Sequence, residues 1–284
     1  MLISYAQNQE DVVLHRLTKF VERGVFVDVG AAHPVIHNVT YSLYLSGWRG
    51  INVEPMAAEA EMLRSTRPDD VTHQLAVGAS AGSVVIHTGP SENRGATTAR
   101  SDIADRYRSQ GQTFSTETVQ MVRLDTLLDS AGLDEIHVLK IDVEGLEKEV
   151  LEGVDLTSYR PWVLVVESTR PNSTEDTSHE WESIVLDSGY EMTLFDGLNK
   201  FYVRIDLTSI REALSTPANV FDQWVSWELV ETRRVLNQST DESRAFVERL
   251  VERAEASEAY AARLELLLNK ANGWLPERAR SESS

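Results

Sequence analysis

Acidic side chains stand where the apolar runs of this chain stop. In VLKIDVEGLEKEVLEG (138–153) a strand pattern carries Lys140, Asp142 and Glu144 into a glycine and a helical pattern. Strand residues i and i+2 point to one face, so Asp142 and Glu144 share a side, with Lys140 just before them. Two acids so placed repel unless a proton, a cation or a substrate hydroxyl lies between them. Glu167 closes the next apolar run, WVLVVES (162–168). Asp142, Glu144 and Glu167 together have the chemistry of an oxygen-rich site for a divalent cation such as Mg²⁺. They equally suit a general base for a hydroxyl whose acidity such a cation would raise. Glu144 also precedes a helix, where an acid favours the helix dipole. Glu147 and Glu149 read as solvated acids of that helix's first turn.

A second set of acids lies earlier. VFVDVGAAHP (25–34) is a buried strand followed by one glycine. A dinucleotide site would show G-x-G-x-x-G, which exposes backbone N–H groups to a pyrophosphate. Here the run is Gly30-Ala31-Ala32-His33-Pro34, and Asp28 would repel a diphosphate. An acid with a single glycine suits a nucleoside that carries positive charge and no phosphate, such as S-adenosylmethionine. Glu54 ends the following strand, in GINVEP (50–55), where a carboxylate can accept both ribose hydroxyls. Asp28, Gly30, Ala31, Glu54, Pro55 and Ala76 are therefore expected at the cofactor. His33 and His37 follow the first strand, and either can serve as a base or shape the pocket. Asn38 and Thr40 open the first helix and offer donors to a carboxylate.

These residues need a scaffold. From Gly24 to Arg204 strand patterns alternate with helical ones: strands in 25–30, 50–55, 71–78, 137–143 and 162–168, helices in 40–48, 56–66, 124–132 and 179–189. That rhythm predicts an α/β fold with a mostly parallel sheet covered on both faces. SVVIHTG (83–89) and ETVQMVRL (117–124) fall outside it as a strand pair around the polar loop SENRGATTARS (91–101), a candidate lid. EMTLFDG and KFYVRI predict an antiparallel edge hairpin over Asp196-Gly197. Beyond Thr208 the composition turns helical. Ser215-Thr216-Pro217 reads as a helix start, and Val247, Leu250, Ala254, Ser257, Ala261, Leu264 and Leu268 keep a thin heptad spacing. A long helical extension over 209–272 is expected, packed on its own domain or pairing two copies as a homodimer, with 273–284 as a flexible tail.

The chain holds 27 Lys and Arg against 45 Asp and Glu, a formal net charge of −18. Such a surface repels phosphate backbones, which argues against a nucleic-acid partner. It argues less strongly against an anionic substrate, because a local basic pocket overrides a global field. Cysteine is absent, so thiolate metal sites and cysteine nucleophiles are excluded. No apolar run approaches the roughly 20 residues that span a bilayer, and no signal-peptide pattern opens the chain. A cytoplasmic, soluble protein is expected.

Taken in order, SYAQNQEDVVL, FVDVGAAHP, NVTYSLYLSGWRGINVEP, RLDTLL, LKIDVEGLEKEVL and VVES resemble the FkbM-type class I S-adenosylmethionine-dependent methyltransferases over residues 4–205. The resemblance implies a Rossmann-like methyltransferase domain over 1–208. It implies methylation of a hydroxyl on a sugar, glycoside or oligosaccharide, with a polyketide-type natural product as the alternative acceptor. It also implies that Tyr5 and Gln7 cover the methionine end of the cofactor, and that Asn93, Gly95 and Thr97 lie near the acceptor. Two other readings stand beside it: a nucleotide-dependent oxidoreductase, weakened by the missing glycines, and a non-catalytic scaffold, weakened by so many acids at one rim.

Overall fold

The computed structural model describes residues 1–89, 97–170, 173–238, 249 and 251–252. Two compact units separate at Val225/Ser226. The first opens with strand β1 (Leu2–Ser4) and helix α1 (Glu10–His15), then β2 (Val25–Val29), α2 (Tyr41–Leu45), β3 (Arg49–Val53), α3 (Ala57–Thr66) and β4 (Val71–His73). A short β5 (Ala76–Val77) leads to β6 (Gly82–Thr88), α4 (Ser101–Ser109), β7 (Ser115–Val122) and α5 (Leu124–Ala131). The alternation resumes with β8 (Val138–Ile141), α6 (Glu147–Glu152), α7 (Leu156–Tyr159), β9 (Val163–Glu167) and α8 (Glu182–Asp187). The hairpin β10 (Tyr190–Phe195) and β11 (Asn199–Arg204) and helix α9 (Thr208–Leu214) follow.

The main sheet has the order β10-β11-β9-β8-β2-β3-β4. Pairs among β9, β8, β2, β3 and β4 are parallel, and β11 runs antiparallel to both β9 and β10. This is the expected α/β sheet with an antiparallel edge. Its strands read as unbroken apolar runs because both faces are covered. Val27, Val29, Ile51, Val53, Leu139 and Ile141 pack toward Leu124, Leu128, Val150 and Trp181. Phe26, Val138, Val163 and Val165 face Val13, Leu14, Leu17 and Leu43 on the other side. The chain winds outward from β2 in both directions, so the strand order reverses between β2 and β8. A crevice opens there beyond the carboxyl ends. Gly30 makes it possible: its φ is +79°, and a Cβ would lie 1.8 Å from the Asp142 carbonyl oxygen.

Two expectations for the elements change. The third strand, foreseen over 71–78, is two strands in different sheets. Val71–His73 pairs with β3, whereas Ala76–Val77 joins β7 in a three-stranded sheet, β5-β7-β6. The chain must leave the main sheet here to pass the end of α6, where a Cβ on Gly153 would meet the Gly78 carbonyl oxygen at 2.3 Å. The β6/β7 pair itself is antiparallel, as foreseen. The helix expected from Pro217 starts later. Asn219 and Asp222 form a capping box around a single tight turn, Val220–Asp222, and Gln223 takes a left-handed φ of 53°. Arg16 ties that turn down, meeting Asp222 at 2.7 Å and the carbonyls of Ala213, Thr216 and Pro217. Helix α9 therefore lies within the first unit, which runs past the expected boundary at 208. The strand β12 (Trp224–Ser226) precedes α10 (Trp227–Gln238), the helix of the second unit. Its foreseen heptad, Val247 to Leu268, lies outside the described residues. Among the described residues no helix is long and apolar enough to cross a membrane.

One buried ion pair locks the loop after β2 to the turn before β4. Arg67 and Asp70 are both fully buried and meet at 2.8 Å. Arg67 also donates to Asn38 Oδ1 and Thr40 Oγ1, each at 3.1 Å. Removing one partner of such a pair strands the other charge in the core, at about 3–5 kcal/mol. Arg67→Ala is expected to lose stability on that scale in urea unfolding. A loss below about 1 kcal/mol would show that the pair is not a structural tie.

Candidate active site

A cavity of about 300 Å³ opens at the strand reversal. Its apolar wall includes Val53, Met56, Leu75, Val77 and Ile86, from β3, its following turn, β5 and β6. Gly30, Ala32, His33, Ile36 and His37 of the loop after β2 form one side. Asp142, Val143, Glu144 and Leu146 of the loop after β8 form the opposite side, and Gln7 closes one end. Thr88, Gly89 and Thr97 to Ala99 bring the β6/β7 insertion over it.

Glu54 is built into this wall. It is buried, its Oε2 accepts the Ala32 N–H at 2.8 Å, and its Oε1 accepts the Met56 N–H at 2.9 Å. Each oxygen keeps lone-pair capacity for a ligand hydroxyl. Burial, opposed by those two amides, pushes its pKa up to about 7. The loop that supplies the Ala32 amide is strained into place, with Ala32 at φ 48° and His37 at φ 55°. His33 holds its turn, as Nδ1 accepts the N–H groups of Val35 and Ile36 at 3.1 and 2.9 Å. Of the expected cofactor residues, Gly30, His33, Glu54, Pro55, Ala76, Asp142 and Gln7 line the cavity, as does the candidate base His37.

Four others do not. Asp28 points to the opposite face of the sheet from Val29. It is fully buried there, accepting from Thr40 Oγ1 at 2.7 Å and pairing with Lys140 at 3.2 Å. It holds the scaffold rather than a ligand. Thr40 and Asn38 are likewise engaged inside. Asn38 Nδ2 donates to the carbonyls of Ala31 and His33, while its Oδ1 accepts the Thr40 N–H. Neither offers a donor to a carboxylate. Ala31 is buried, with its N–H on the Val53 carbonyl at 3.1 Å. Tyr5, likewise outside the lining, packs edge-on against Tyr41 at 4.8 Å and is buried. Alternation along β2 explains Asp28: it follows Val27 and precedes Val29, whose side chains fill the other core.

The acids after β8 form a mutually perturbing group. Asp142 and Glu144 line the cavity; Glu167 is buried at the end of β9, with Oε2 lacking a hydrogen-bond partner among the described residues. Burial, then the charges of Asp142 and Glu144, hold the Glu167 pKa well above the carboxylate range. Burial, then Asp142 and Glu147, do the same for Glu144. Lys140 counters them. Burial alone would lower its pKa, but Asp142 and Asp28 outweigh that and raise it. The Mg²⁺ expectation finds no support in the geometry. Among the described residues no group of three or more His, Asp or Glu side chains is arranged to hold a metal ion. Asp142, Glu144 and Glu167 are not such a set: two line the cavity and the third is buried beyond its lining.

Other residues carry more than their spacing suggested. Glu147 is not a solvated acid: it is buried, and its Oε1 accepts the N–H groups of Val143 and Gly145, each at 3.1 Å. It, and not Glu144, caps the turn that presents Asp142 and Glu144, and burial pushes its pKa to about 7. Glu10 is buried beside the edge hairpin, accepting from Asn199 Nδ2 at 2.6 Å and the Asn8 N–H at 2.8 Å. Burial and the nearby Asp196 raise it to about 8. Thr98 joins the insertion to the site, donating to the Glu144 carbonyl at 2.7 Å. Only the i+3 spacing of Glu147 from Glu144 hinted at any of these. Asn93 and Gly95 of the foreseen lid lie outside the described residues.

Residues 28–192 match the methyltransferase FkbM domain. The chain belongs to the FkbM methyltransferase family. No curated protein matches it. Among solved structures it is similar to a TehB-like SAM-dependent methyltransferase from Corynebacterium glutamicum, with 8% identity, a TM-score of 0.37, and coverage of 69% of this chain and 87% of that one. It is also similar to a candidate O-methyltransferase from Klebsiella pneumoniae, with 10% identity, a TM-score of 0.34, and coverage of 70% and 81%.

The raised acids have a thermodynamic consequence. Glu10, at about 8, lies far above the unfolded glutamate value of roughly 4.3. Between these values the folded state of this FkbM-family chain binds the extra proton, so its contribution to stability falls as pH rises. His15, His73 and His137, lowered by burial, act in the opposite sense. A difference measurement separates them. Thermal unfolding of Glu10→Gln should gain on the wild type steadily as the pH goes from about 5 to 9. A melting-temperature difference independent of pH would contradict the raised value.

Proposed function

We propose that this protein is an S-adenosylmethionine-dependent O-methyltransferase whose acceptor is a hydroxyl of a sugar or glycoside. The observation that carries the reading is that Glu54 and the Asp142–Glu144 pair line one cavity from opposite sides of the strand reversal. Glu54, with both oxygens already oriented by backbone amides, receives the two ribose hydroxyls. The apolar wall of Val53, Met56, Leu75 and Ile86 takes the adenine. Glu59 and Asp142, with the part-ionised Glu54, leave the lining acidic, which favours a ligand bearing positive charge and disfavours one bearing phosphates.

When bound, S-adenosylmethionine supplies a methyl group on a sulfonium and departs as the thioether S-adenosylhomocysteine. The residues of this chain do the rest. Asp142 lines the cavity with a third of its side chain exposed and Lys140 at 3.4 Å behind it. It is placed to orient the acceptor hydroxyl and to take its proton as the oxygen forms the new C–O bond. Glu144 and Glu167, both raised, keep protons near Asp142 and limit the like-charge repulsion around it. The Thr97–Ala99 segment covers the site and excludes water from the transfer.

Two substitutions separate binding from chemistry. Asp142→Asn should lower kcat by about 10²–10⁴-fold while calorimetry shows S-adenosylmethionine affinity within threefold of wild type. Glu54→Gln should weaken that affinity about tenfold or more, as loss of charge-assisted hydrogen bonds does. Labelled-methyl transfer to a panel of glycosides, read by mass, reports the acceptor. Full turnover by the Asp142 variant would end the assignment of the base.

A further inference from the structure

Helix α10 gives its apolar side chains no core. Each of α1 to α9 has at least one buried residue, whereas none from Trp227 to Asn237 is buried. Leu229 and Leu236 are only half-buried. One side of the helix is settled in water: Glu228 is exposed, and Arg234 Nε meets Glu231 at 2.9 Å. The other side is an apolar stripe that needs a surface to cover it.

The residue spacing says what that surface is. Leu229 and Leu236 are seven positions apart, and the same step continues through Ser243 to Leu250 and through Ser257 to Leu264. With these as the d positions of a heptad, the earlier seam of Val247, Ala254, Ala261 and Leu268 falls on a. The outward b, c and f positions from Glu228 to Arg263 number sixteen. Ten are charged, and Val235 is their one large apolar residue. Arg249, Val251 and Glu252 are helical and agree with this register: Arg249 and Glu252 are exposed at c and f, and Val251 is half-buried beside the seam at e.

A straight α-helix drifts about 20° per heptad against a repeat of seven, so the five heptads from Leu229 to Leu264 would carry the stripe about 100° around it. Such a stripe leaves the surface of a globular domain but stays on the seam with a supercoiled partner helix. Length points the same way. Neither glycine nor proline occurs from 218 to 272. A helix over 227–270 would run about 65 Å, against a radius of gyration of about 17 Å for a domain of the first unit's size.

We propose that α10 opens a homodimerisation helix, whose Leu229–Leu236 edge packs on the same helix of a second copy in the leucine register that runs to Leu264. Arg233 and Thr240 at a, and Ser243 and Ser257 at d, weaken the seam, which makes the association reversible rather than obligate. The proposal does not depend on the methyltransferase reading.

Sedimentation equilibrium of the full chain tests it, over loading concentrations from about 1 to 100 μM, because a reversible dimer is concentration-dependent. The wild type is expected to move from 31.8 kDa toward twice that mass. Leu229→Glu/Leu236→Glu should weaken the dimer at least tenfold by placing charge in the seam, and Leu250→Glu should do the same if the register continues. Leu229→Ala/Leu236→Ala, a gentler change, should weaken it in the same direction. Glu228→Ala, on the outward side, should leave it unchanged. A wild type that stays at 31.8 kDa throughout overturns the proposal, and means that the stripe is covered by its own chain or by a different protein. So does an assembly larger than a dimer, or a dimer that neither leucine pair affects.

Discussion

The arrangement depends on one buried cation. Lys140 Nζ lies in the sheet at the strand reversal, donating to the Gly30 carbonyl at 2.7 Å and pairing with Asp28 at 3.2 Å and Asp142 at 3.4 Å. An unpaired ammonium in that position would be prohibitive. With three acceptors around it, the charge is retained, and its pKa stays above that of an ordinary lysine. The same three contacts join the two loops that face each other across the large cavity. Asp28 reaches Thr40 at the start of α2, Gly30 opens the loop after β2, and Asp142 begins the loop after β8. A change in this cation would therefore alter both walls together.

From this follows the division of labour among the acids. A rim with several carboxylates is unstable unless protons, cations or amides separate them. Each acid here has a different solution. Asp28 has Lys140 and a hydroxyl, Glu54 and Glu147 have two backbone amides each, and Glu144 and Glu167 have raised affinity for a proton. Only Asp142 combines a cationic neighbour with an open face. Asp142 thus stands apart from the other acids through what those are already bound to, and not through its place in a motif.

Much of the scaffold was legible in the residues because covering both faces of a parallel sheet imposes a visible rhythm of apolar runs and turns. The positions of Gly30, Glu54, Asp142 and Glu144 at strand ends follow from that rhythm alone. What the rhythm leaves undetermined is the direction of a side chain that has several partners within reach. Asp28, Asn38 and Thr40 looked available because each is polar and lies next to the loop. Arg67 is distant in sequence, and its fully buried guanidinium draws Asn38 and Thr40 inward, while Thr40 and Lys140 hold Asp28 there. Glu147 looked solvated because a helix's first turn usually is; the tight turn at Glu144–Gly145, both at positive φ, folds its backbone amides onto it. The start of the C-terminal helix was misplaced for a similar reason, since the Arg16 contacts that hold 215–222 out of an α-helix span about two hundred positions.

The insertion between β5 and α5 gives this chain its own character within a common sheet. β6 and β7 pair over seven residues on each side and reach the site through one hydroxyl, Thr98, bonded to the Glu144 carbonyl. Glu144 sits at φ 55°, a conformation that costs a non-glycine residue energy. The Thr98 bond, the Glu147 cap and the Gly145 turn together hold it there. The insertion outside the parallel sheet thereby bears directly on the backbone that carries Glu144.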